Sequence, residues 1–252
     1  MPPRPPCPSV QAAARWRACG ESPRPRRKQA FDGQTLNMFT AQQPAHTIFT
    51  SHKMVMINGR VGYEPSNPRC IRSVEELLGL AVEFYGSSIV ESYVSDWLKK
   101  DTIIALWRKS MPSVVPHELA KYQSGNYDPQ VVDKEIKTIG AVLTPGQVLF
   151  HGGSLSSGIL QRQLSTTFCP NVAICEALWK GKADAIGQVN IYAITVQASN
   201  TCVYVYNQSR GKLSNEKEVL FASGAYLRID EPKQIGSFAD GKPCFMIPAT
   251  IS

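Results

Sequence analysis

The sequence predicts an α+β fold in which a helical first half precedes a β-rich second half. Apolar residues recur at helical spacing between about residues 73 and 142, where Leu77, Leu80 and Phe84 share one helix face. Pro145-Gly146 then marks a turn, and the residues after it form short β-branched runs separated by Gly and Ser. At 252 residues and 43% hydrophobic, the chain is long enough to bury a full core.

Start and stop signals place the individual elements. Ser73 can cap a helix over residues 74–85, because Glu76 lies at the capping-box position. The same spacing predicts further helices over residues 89–100, 102–109, 116–122, 133–142 and 171–179. Six β-branched runs predict strands over residues 147–150, 189–196, 202–206, 218–221, 225–229 and 244–247. We therefore expect a mainly antiparallel, β-sandwich-like half with the helical half packed against it.

Charge and composition divide the chain into three segments. Residues 1–46 are rich in Pro, Arg, Ser, Ala and Gln, and we expect them to form a disordered, basic leader. The first 30 residues contain seven basic side chains and one acid, so they account for six of the seven net positive charges. The rest is predicted to be an extended arm (47–70) and one domain (71–252), with a helical part (71–145) and a β-rich core (146–252).

Composition argues against several classes of site and partner. The seven cysteines include no CxxC pair and there are four histidines, so free thiols are expected, without a disulfide framework or a metal site. No apolar run approaches the roughly 20 residues that a transmembrane helix requires. Outside the leader the chain is nearly neutral and lacks a basic groove, so no nucleic-acid partner is expected. We also expect the chain to be a monomer.

Two segments of the β-rich half carry side chains suited to binding. The run Val148–Gly153 ends in His151 and two glycines, where a ligand could approach the main chain and the imidazole offers a donor and an acceptor. In Leu164–Phe168, strand alternation places Ser165 and Thr167 on one face. Each pattern also fits a structural role, as a strand-end histidine before a turn and as an ordinary edge strand.

A third segment carries two acids at the start of the apolar run Val219–Phe221. Alternation in a strand would place Glu216 and Glu218 side by side on one face, where like charges repel. Lys217 would then point to the opposite face and lie in solvent. A solvated edge strand, whose acids prevent pairing with other chains, is the alternative interpretation.

In this order, the three segments resemble the NAD-dependent mono-ADP-ribosyltransferases of the Arg-Ser-Glu class, a superfamily of toxins and ecto-enzymes. Asn215–Leu220 (Asn-Glu-Lys-Glu-Val-Leu) is similar to the family's signature, and Ser165-Thr166-Thr167 to its Ser-Thr-Ser strand. Residues 119–127 and 131–139 are similar to the family's Tyr-containing turn and NAD-side helix. The resemblance covers Glu118 to Ile229, and it implies an ADP-ribosyltransferase core for the β-rich half.

The resemblance also implies a role for each site residue. Glu218 would stabilise the oxocarbenium-like ribose that forms as nicotinamide leaves NAD, and Ser165 would orient that carboxylate. Glu216 would receive the acceptor and take its proton, and in the family an acid at this position goes with arginine acceptors. The residues implied in binding NAD are His151, Gly152, Thr166, Thr167 and Phe168. Phe168 or Trp179 could stack on nicotinamide, and a place in the core is the alternative for both.

One position departs from the Arg-Ser-Glu pattern. His151 stands where that class has an arginine that grips NAD, as in the diphtheria-toxin-like His-Tyr-Glu class. A histidine cannot make the bidentate, permanently charged contact that arginine makes with pyrophosphate. The open alternatives are a catalytically impaired protein of this fold that binds a host protein, an NAD glycohydrolase, and an RNA 2′-phosphotransferase.

The expected function is transfer of ADP-ribose from NAD to a protein side chain, with arginine as the expected acceptor and no metal required. The basic leader and the free cysteines are similar to those of bacterial effectors. We therefore expect a secreted, toxin-like virulence factor that acts in the cytoplasm of a host cell, without a Sec signal peptide. Its partners would be NAD and a host acceptor protein. Arg60, on the Gly-flanked arm, is a candidate to dock in the acceptor site in place of a substrate.

Overall fold

The computed structural model describes residues 46–57, 60–122, 124–197, 202–206 and 217–252. The first element of the described residues is a β-hairpin, where the sequence suggested only an extended arm. Strand β1 (His46–Ile57) pairs antiparallel with β2 (Arg60–Ile71), and Met54 lies opposite Tyr63. Arg60 is exposed at the start of β2.

Helices occupy most of the chain between residues 74 and 139. The described α-helices are α1 (Val74–Glu83), α2 (Ile89–Lys100), α3 (Thr102–Ser110), α4 (His117–Tyr122), α5 (Pro129–Ile139), α6 (Pro170–Leu178) and α7 (Lys182–Ile186). The Ser73 hydroxyl accepts a hydrogen bond from the Glu76 N–H at 3.1 Å, which is the cap that the sequence predicts. Asp101 caps α3 in the same way.

The remaining strands form one mixed sheet. They are β3 (Ala141–Val142), β4 (Val148–Gly152), β5 (Gly158–Ile159), β6 (Leu164–Thr167), β7 (Val189–Val196), β8 (Cys202–Val205), β9 (Glu218–Phe221), β10 (Tyr226–Ile229), β11 (Lys233–Ser237) and β12 (Pro243–Ile251). Their order is β3-β8-β9-β6-β4-β7-β12-β10-β5, and β11 also pairs with β12. Among the described pairings only β7 with β12 is parallel. The α+β class is confirmed. These strands are hydrogen-bonded into one continuous sheet, and they do not form two separately hydrogen-bonded sheets.

Helix α5 differs from its predicted bounds at both ends. Asp128 caps it and Pro129 occupies its first turn, where the missing N–H of proline costs nothing, so the helix starts before residue 133. It ends at Ile139 because the next residue, Gly140, approaches strand β8. A Cβ on Gly140 would lie 2.6 Å from the Val203 carbonyl oxygen. The following two residues then pair with β8 as strand β3.

Helix α6 packs on the central strand β4, and part of the core lies between them. Leu149, Phe150 and Ile174 are almost completely buried there. The closest approach is at Gly152, where a Cβ would lie 1.8 Å from the Ala173 carbonyl oxygen. The packing of α6 on β4 therefore requires a glycine at this position. Gly152 also lines the cleft between these elements, and its contact with NAD stays a prediction.

Three observations bear on the wider chemistry of the described ranges. No helix there is both long enough and apolar enough to cross a membrane. Five cysteines there are free thiols, namely Cys70, Cys169, Cys175, Cys202 and Cys244. The same ranges contain no group of three or more His, Cys, Asp or Glu side chains placed to hold a metal ion.

Candidate active site

A cleft of about 880 Å³ is lined by residues from strands β4, β6 and β9 and from helices α6 and α7. The strand order places β6 between β4 and β9, so residues far apart in the sequence become neighbours. His151 on β4, Ser165 on β6 and Glu218 on β9 all line this cleft. The structure therefore brings together three of the side chains that the sequence singles out.

Glu218 and Ser165 are in direct contact. The Ser165 hydroxyl donates a hydrogen bond to the Glu218 carboxylate, with 2.6 Å between Oγ and Oε1. Strand register explains the contact, because Thr167 lies opposite Glu218 and Ser165 projects from the same face two residues earlier. Glu218 is only 6% exposed. Its orientation is thus fixed by a charge-assisted hydrogen bond in a largely desolvated position.

His151 is held by the main chain of the same serine. Its Nδ1 lies 2.8 Å from the Ser165 carbonyl oxygen, and because a carbonyl can only accept, Nδ1 carries the proton. Burial lowers the pKa of His151; the hydrogen bond to Ser165 opposes this shift, and the charge of Lys182 adds to it. The imidazole is therefore neutral near pH 7, and Nε2 remains as a hydrogen-bond acceptor.

Mild acid is expected to destabilise the protein through His151. The unfolded chain takes up a proton at this residue near about pH 6.5, whereas the lowered pKa delays uptake in the folded state, so the unfolded state binds more protons in between. The free energy of unfolding should fall as the pH drops below about 6.5, and this contribution should level off below the folded-state pKa.

Urea denaturation between roughly pH 7.5 and pH 5 measures this effect, with His151→Gln as the comparison. The glutamine variant should lose the part of the pH dependence that comes from the histidine. Identical pH dependence in the two proteins would show that His151 does not contribute.

Two tyrosines form another wall of the cleft. Tyr122 at the end of α4 and Tyr127 before α5 both line it, with 4.8 Å between their ring centroids. Burial first, and then the charge of Glu218, raise the pKa of the Tyr122 phenol above its ordinary range. The phenol is therefore un-ionised, and it forms a hydrogen bond with the Ser165 side chain. In the sequence, the Tyr-containing turn at residues 119–127 is the signal for this wall.

The hydroxyls of the two threonines that follow Ser165 form hydrogen bonds with main-chain groups. The Thr166 hydroxyl donates to the Val219 carbonyl at 2.7 Å, across the β6–β9 ladder. The Thr167 hydroxyl accepts from the Cys169 N–H at 3.0 Å, in the turn into α6. Both threonines form part of the cleft wall.

Phe168 is 3% exposed and packs in the core, and it is not among the described residues that line the cleft. The predicted contact of Phe168 with NAD is therefore corrected. Strand β6 ends at Thr167, and the turn into α6 directs the next side chain inward.

The Glu-Lys-Glu segment differs from the predicted strand. Glu218 is the first residue of β9, and Glu216 lies outside the described residues. Lys217 has a left-handed φ of 51°, so the strand alternation that would place both acids on one face stops at this residue. The prediction that Lys217 lies in solvent is wrong. Its side chain is buried, and Nζ lies 3.0 Å from Glu91 Oε1 on α2.

The far wall of the cleft contains Trp179, which the sequence offers as a stacking partner for nicotinamide, and Lys182, which no sequence pattern singles out. After α6 the chain turns through Lys180 and Gly181, with φ values of 54° and 71°, into the short helix α7. Both Trp179, which is 59% exposed, and Lys182 line the cleft. Lys182 is the one Lys or Arg among the described lining residues. The run Trp179–Lys182 has neither helical nor strand periodicity. Only its aromatic and basic residues could have indicated in the sequence that it lines a binding site.

Comparisons with known proteins give matches in structure. No family model matches the chain, and no curated protein matches it in sequence. The toxin BECa of a C. perfringens binary enterotoxin, solved with NADH, matches 83% of this chain and 57% of its own length, at 13% identity and a TM-score of 0.36. The ADP-ribosyltransferase Vis of Vibrio splendidus, solved with the inhibitor M6, matches 72% and 86%, at 14% identity and a TM-score of 0.35. The toxin Plx2a of Paenibacillus larvae matches 64% and 96%, at 13% identity and a TM-score of 0.39.

These likenesses are distant, and the chain spans little more than half the length of BECa. With TM-scores of 0.35 to 0.39, they do not bear on the role of any site residue, which depends on the contacts in the cleft. BECa is an ADP-ribosylating toxin, and Vis and Plx2a are ADP-ribosyltransferase toxins.

Proposed function

We propose that this protein is an NAD-dependent mono-ADP-ribosyltransferase that modifies a protein side chain. The observation that carries the proposal is the hydrogen bond from Ser165 to the buried carboxylate of Glu218, in a cleft that also contains His151. The cleft volume of about 880 Å³ lies in the upper range of small-molecule sites, which suits a ligand as large as a dinucleotide.

The chemistry explains the need for a fixed carboxylate. When the bond between the ribose anomeric carbon and the nicotinamide nitrogen breaks, the bonding electron pair leaves with nicotinamide and positive charge develops on the sugar. Glu218 would stabilise that charge, and the hydrogen bond from Ser165 would hold its orientation before the reaction begins. The acceptor then forms a new bond to the anomeric carbon and gives up a proton. The resemblance gives this proton to Glu216, which lies outside the described residues.

The neutral imidazole determines how NAD would be held. His151 can accept a hydrogen bond at Nε2, for example from a ribose hydroxyl, but it supplies no positive charge to the pyrophosphate. Lys182 is the cation in the described lining that could do so. Trp179 offers an exposed aromatic face on the same wall, suited to stacking on a base or on nicotinamide.

The finer parts of the proposal concern the acceptor and the setting. We propose arginine as the acceptor, because a carboxylate both binds a guanidinium and can take its proton. The protein would act as a monomeric, secreted bacterial effector on a host protein. Arg60 is exposed on the hairpin and is not among the described residues that line the cleft, so nothing supports its docking there.

Incubation with two labelled forms of NAD tests the proposal. With label on the adenylate, a transferase produces labelled protein in a host-cell lysate, and hydroxylamine treatment shows whether the linkage is to arginine. With label on nicotinamide, release without labelled protein would indicate an NAD glycohydrolase. If neither labelled protein nor free nicotinamide forms, even at protein concentrations well above those of typical enzyme assays, the proposal is refuted. The remaining interpretation is then a protein that only binds a partner.

A further inference from the structure

Lys217 is an unusual residue to find buried. Its side chain is 2% exposed, and its ammonium lies 3.0 Å from the Glu91 carboxylate, whose side chain is 43% exposed. Its φ of 51° lies in the left-handed region, which is unfavourable for a residue with a Cβ. A lysine keeps both a buried charge and a strained backbone only where the surrounding structure determines them.

The position of Lys217 in the sheet is equally specific. Glu218 is the first residue of β9, and its pairing with Thr167 is the terminal pair of the β6–β9 ladder. The Lys217 carbonyl accepts one further hydrogen bond, from the Phe168 N–H at 3.2 Å. Strand ends are the places where a sheet opens most easily. Glu218 therefore lies at a strand end. The hydrogen bonds there would break more easily if the Lys217 side chain lost its contact with Glu91.

We propose that Lys217, through its ion pair with Glu91, is a positioning residue that holds the start of β9 so that the Glu218 carboxylate stays on the Ser165 hydroxyl. The pair fastens the residue before β9 to helix α2, which is more than a hundred residues away in the sequence. This inference rests on the proposed function, since the carboxylate being positioned is the one assigned to NAD cleavage.

The test compares Lys217→Met with Glu91→Gln and with the double variant. Methionine fills the buried space of the lysine side chain without a charge, so the sheet should remain folded. In the test, kcat for nicotinamide release should fall about tenfold in each single variant, which corresponds to about 1.4 kcal/mol, while KM for NAD changes less than about twofold. The double variant should be no worse than the worse single variant, because both substitutions remove the same pair.

Two further variants separate the charge from the backbone. Lys217→Arg keeps a cation within reach of Glu91 and should restore most of kcat. Lys217→Gly relieves the left-handed strain but removes the ion pair, so it should behave like Lys217→Met. Lys233→Met is the matched control, because Lys233 forms a comparable but exposed pair with Glu75 at 2.7 Å, and it should leave kcat unchanged.

Hydrogen exchange gives a readout that does not depend on activity. The amides of Phe168 and Tyr206 donate to the carbonyls of Lys217 and Glu218, so both should exchange faster in Lys217→Met while the amides of the β7–β12 pair keep their protection.

Three outcomes would overturn the inference. The first is an unchanged kcat in Lys217→Met, with an active wild type. The second is a loss of amide protection throughout the sheet, which would mean that the pair serves global stability. The third is unchanged exchange at Phe168 and Tyr206. A wild type that does not cleave NAD would refute the proposed function instead, and the exchange measurement would still decide whether Lys217 holds this strand end.

Discussion

Replacing Glu218 by glutamine is expected to lower kcat for nicotinamide release by about 100- to 1,000-fold. The negative charge opposite the developing oxocarbenium ion is lost, and an amide cannot replace it. The geometry should survive, because the glutamine carbonyl can accept the Ser165 hydrogen bond that now measures 2.6 Å. KM for NAD and the urea midpoint should therefore change little, which is the pattern expected when stabilisation is lost only in the transition state.

Initial-rate measurements with labelled NAD, and denaturation of the same samples, would check this prediction. Glu83→Gln is a suitable control, because Glu83 is an exposed carboxylate that pairs with Arg69 at 3.0 Å, away from the cleft. A Glu218→Gln protein that is folded and cleaves NAD at the wild-type rate would remove the main support for the proposed function.

Gly152→Ala is expected to have the largest effect on stability. The added Cβ would stand 1.8 Å from the Ala173 carbonyl oxygen and 2.7 Å from the Ala177 nitrogen, both in the main chain of α6. Neither atom can rotate away, so the helix would have to move off β4. We expect the free energy of unfolding to fall by more than about 3 kcal/mol, a large part of the stability of an ordinary domain.

Gly79→Ala provides the contrast for this experiment. Gly79 lies within α1, and its added Cβ would approach nothing closer than the Ile235 carbonyl oxygen at 3.8 Å. Because alanine is the better helix former, this variant should gain up to about 1 kcal/mol. Urea denaturation of both variants measures the difference. Equal stability of the two would show that α6 does not pack on β4 as closely as the structure has it.

Local signals predicted much of the fold. The Ser73 cap and apolar spacing located α1, and short runs rich in β-branched or other apolar residues located β7 and β9. The predicted start of helix α5 lies four residues too far along the sequence. The helix begins with the Asp128 cap and Pro129, which both precede the apolar pattern. Its end is set by the approach of Gly140 to β8, a tertiary contact that no local pattern contains.

The motifs that resemble ADP-ribosyltransferases predicted which side chains form the candidate site, and strand alternation added to this only where a strand is regular. Alternation placed Ser165 and Thr167 on one face because β6 is regular up to Thr167. Lys217 could not be placed in this way, because a single left-handed residue ends the alternation and its partner Glu91 is distant in the sequence. Lys182 was missed for a related reason, since it follows a turn with two successive positive φ values, where no periodicity indicates which way a side chain points.

Strand β12 pairs with β7 along one edge and with both β10 and β11 along the other. It follows all three of these strands in the sequence, and its parallel pairing with β7 runs from Cys244 to Ile251. During synthesis on the ribosome, β7 and β10 would both emerge before β12. The edges of β7 and β10 that pair with β12 would stay unpaired until residues 243–251 had been synthesised. A nascent chain that stalled before residue 243 would expose two unpaired strand edges, to which strands of other chains could pair. We therefore expect chaperones to protect the chain most at this stage of its synthesis.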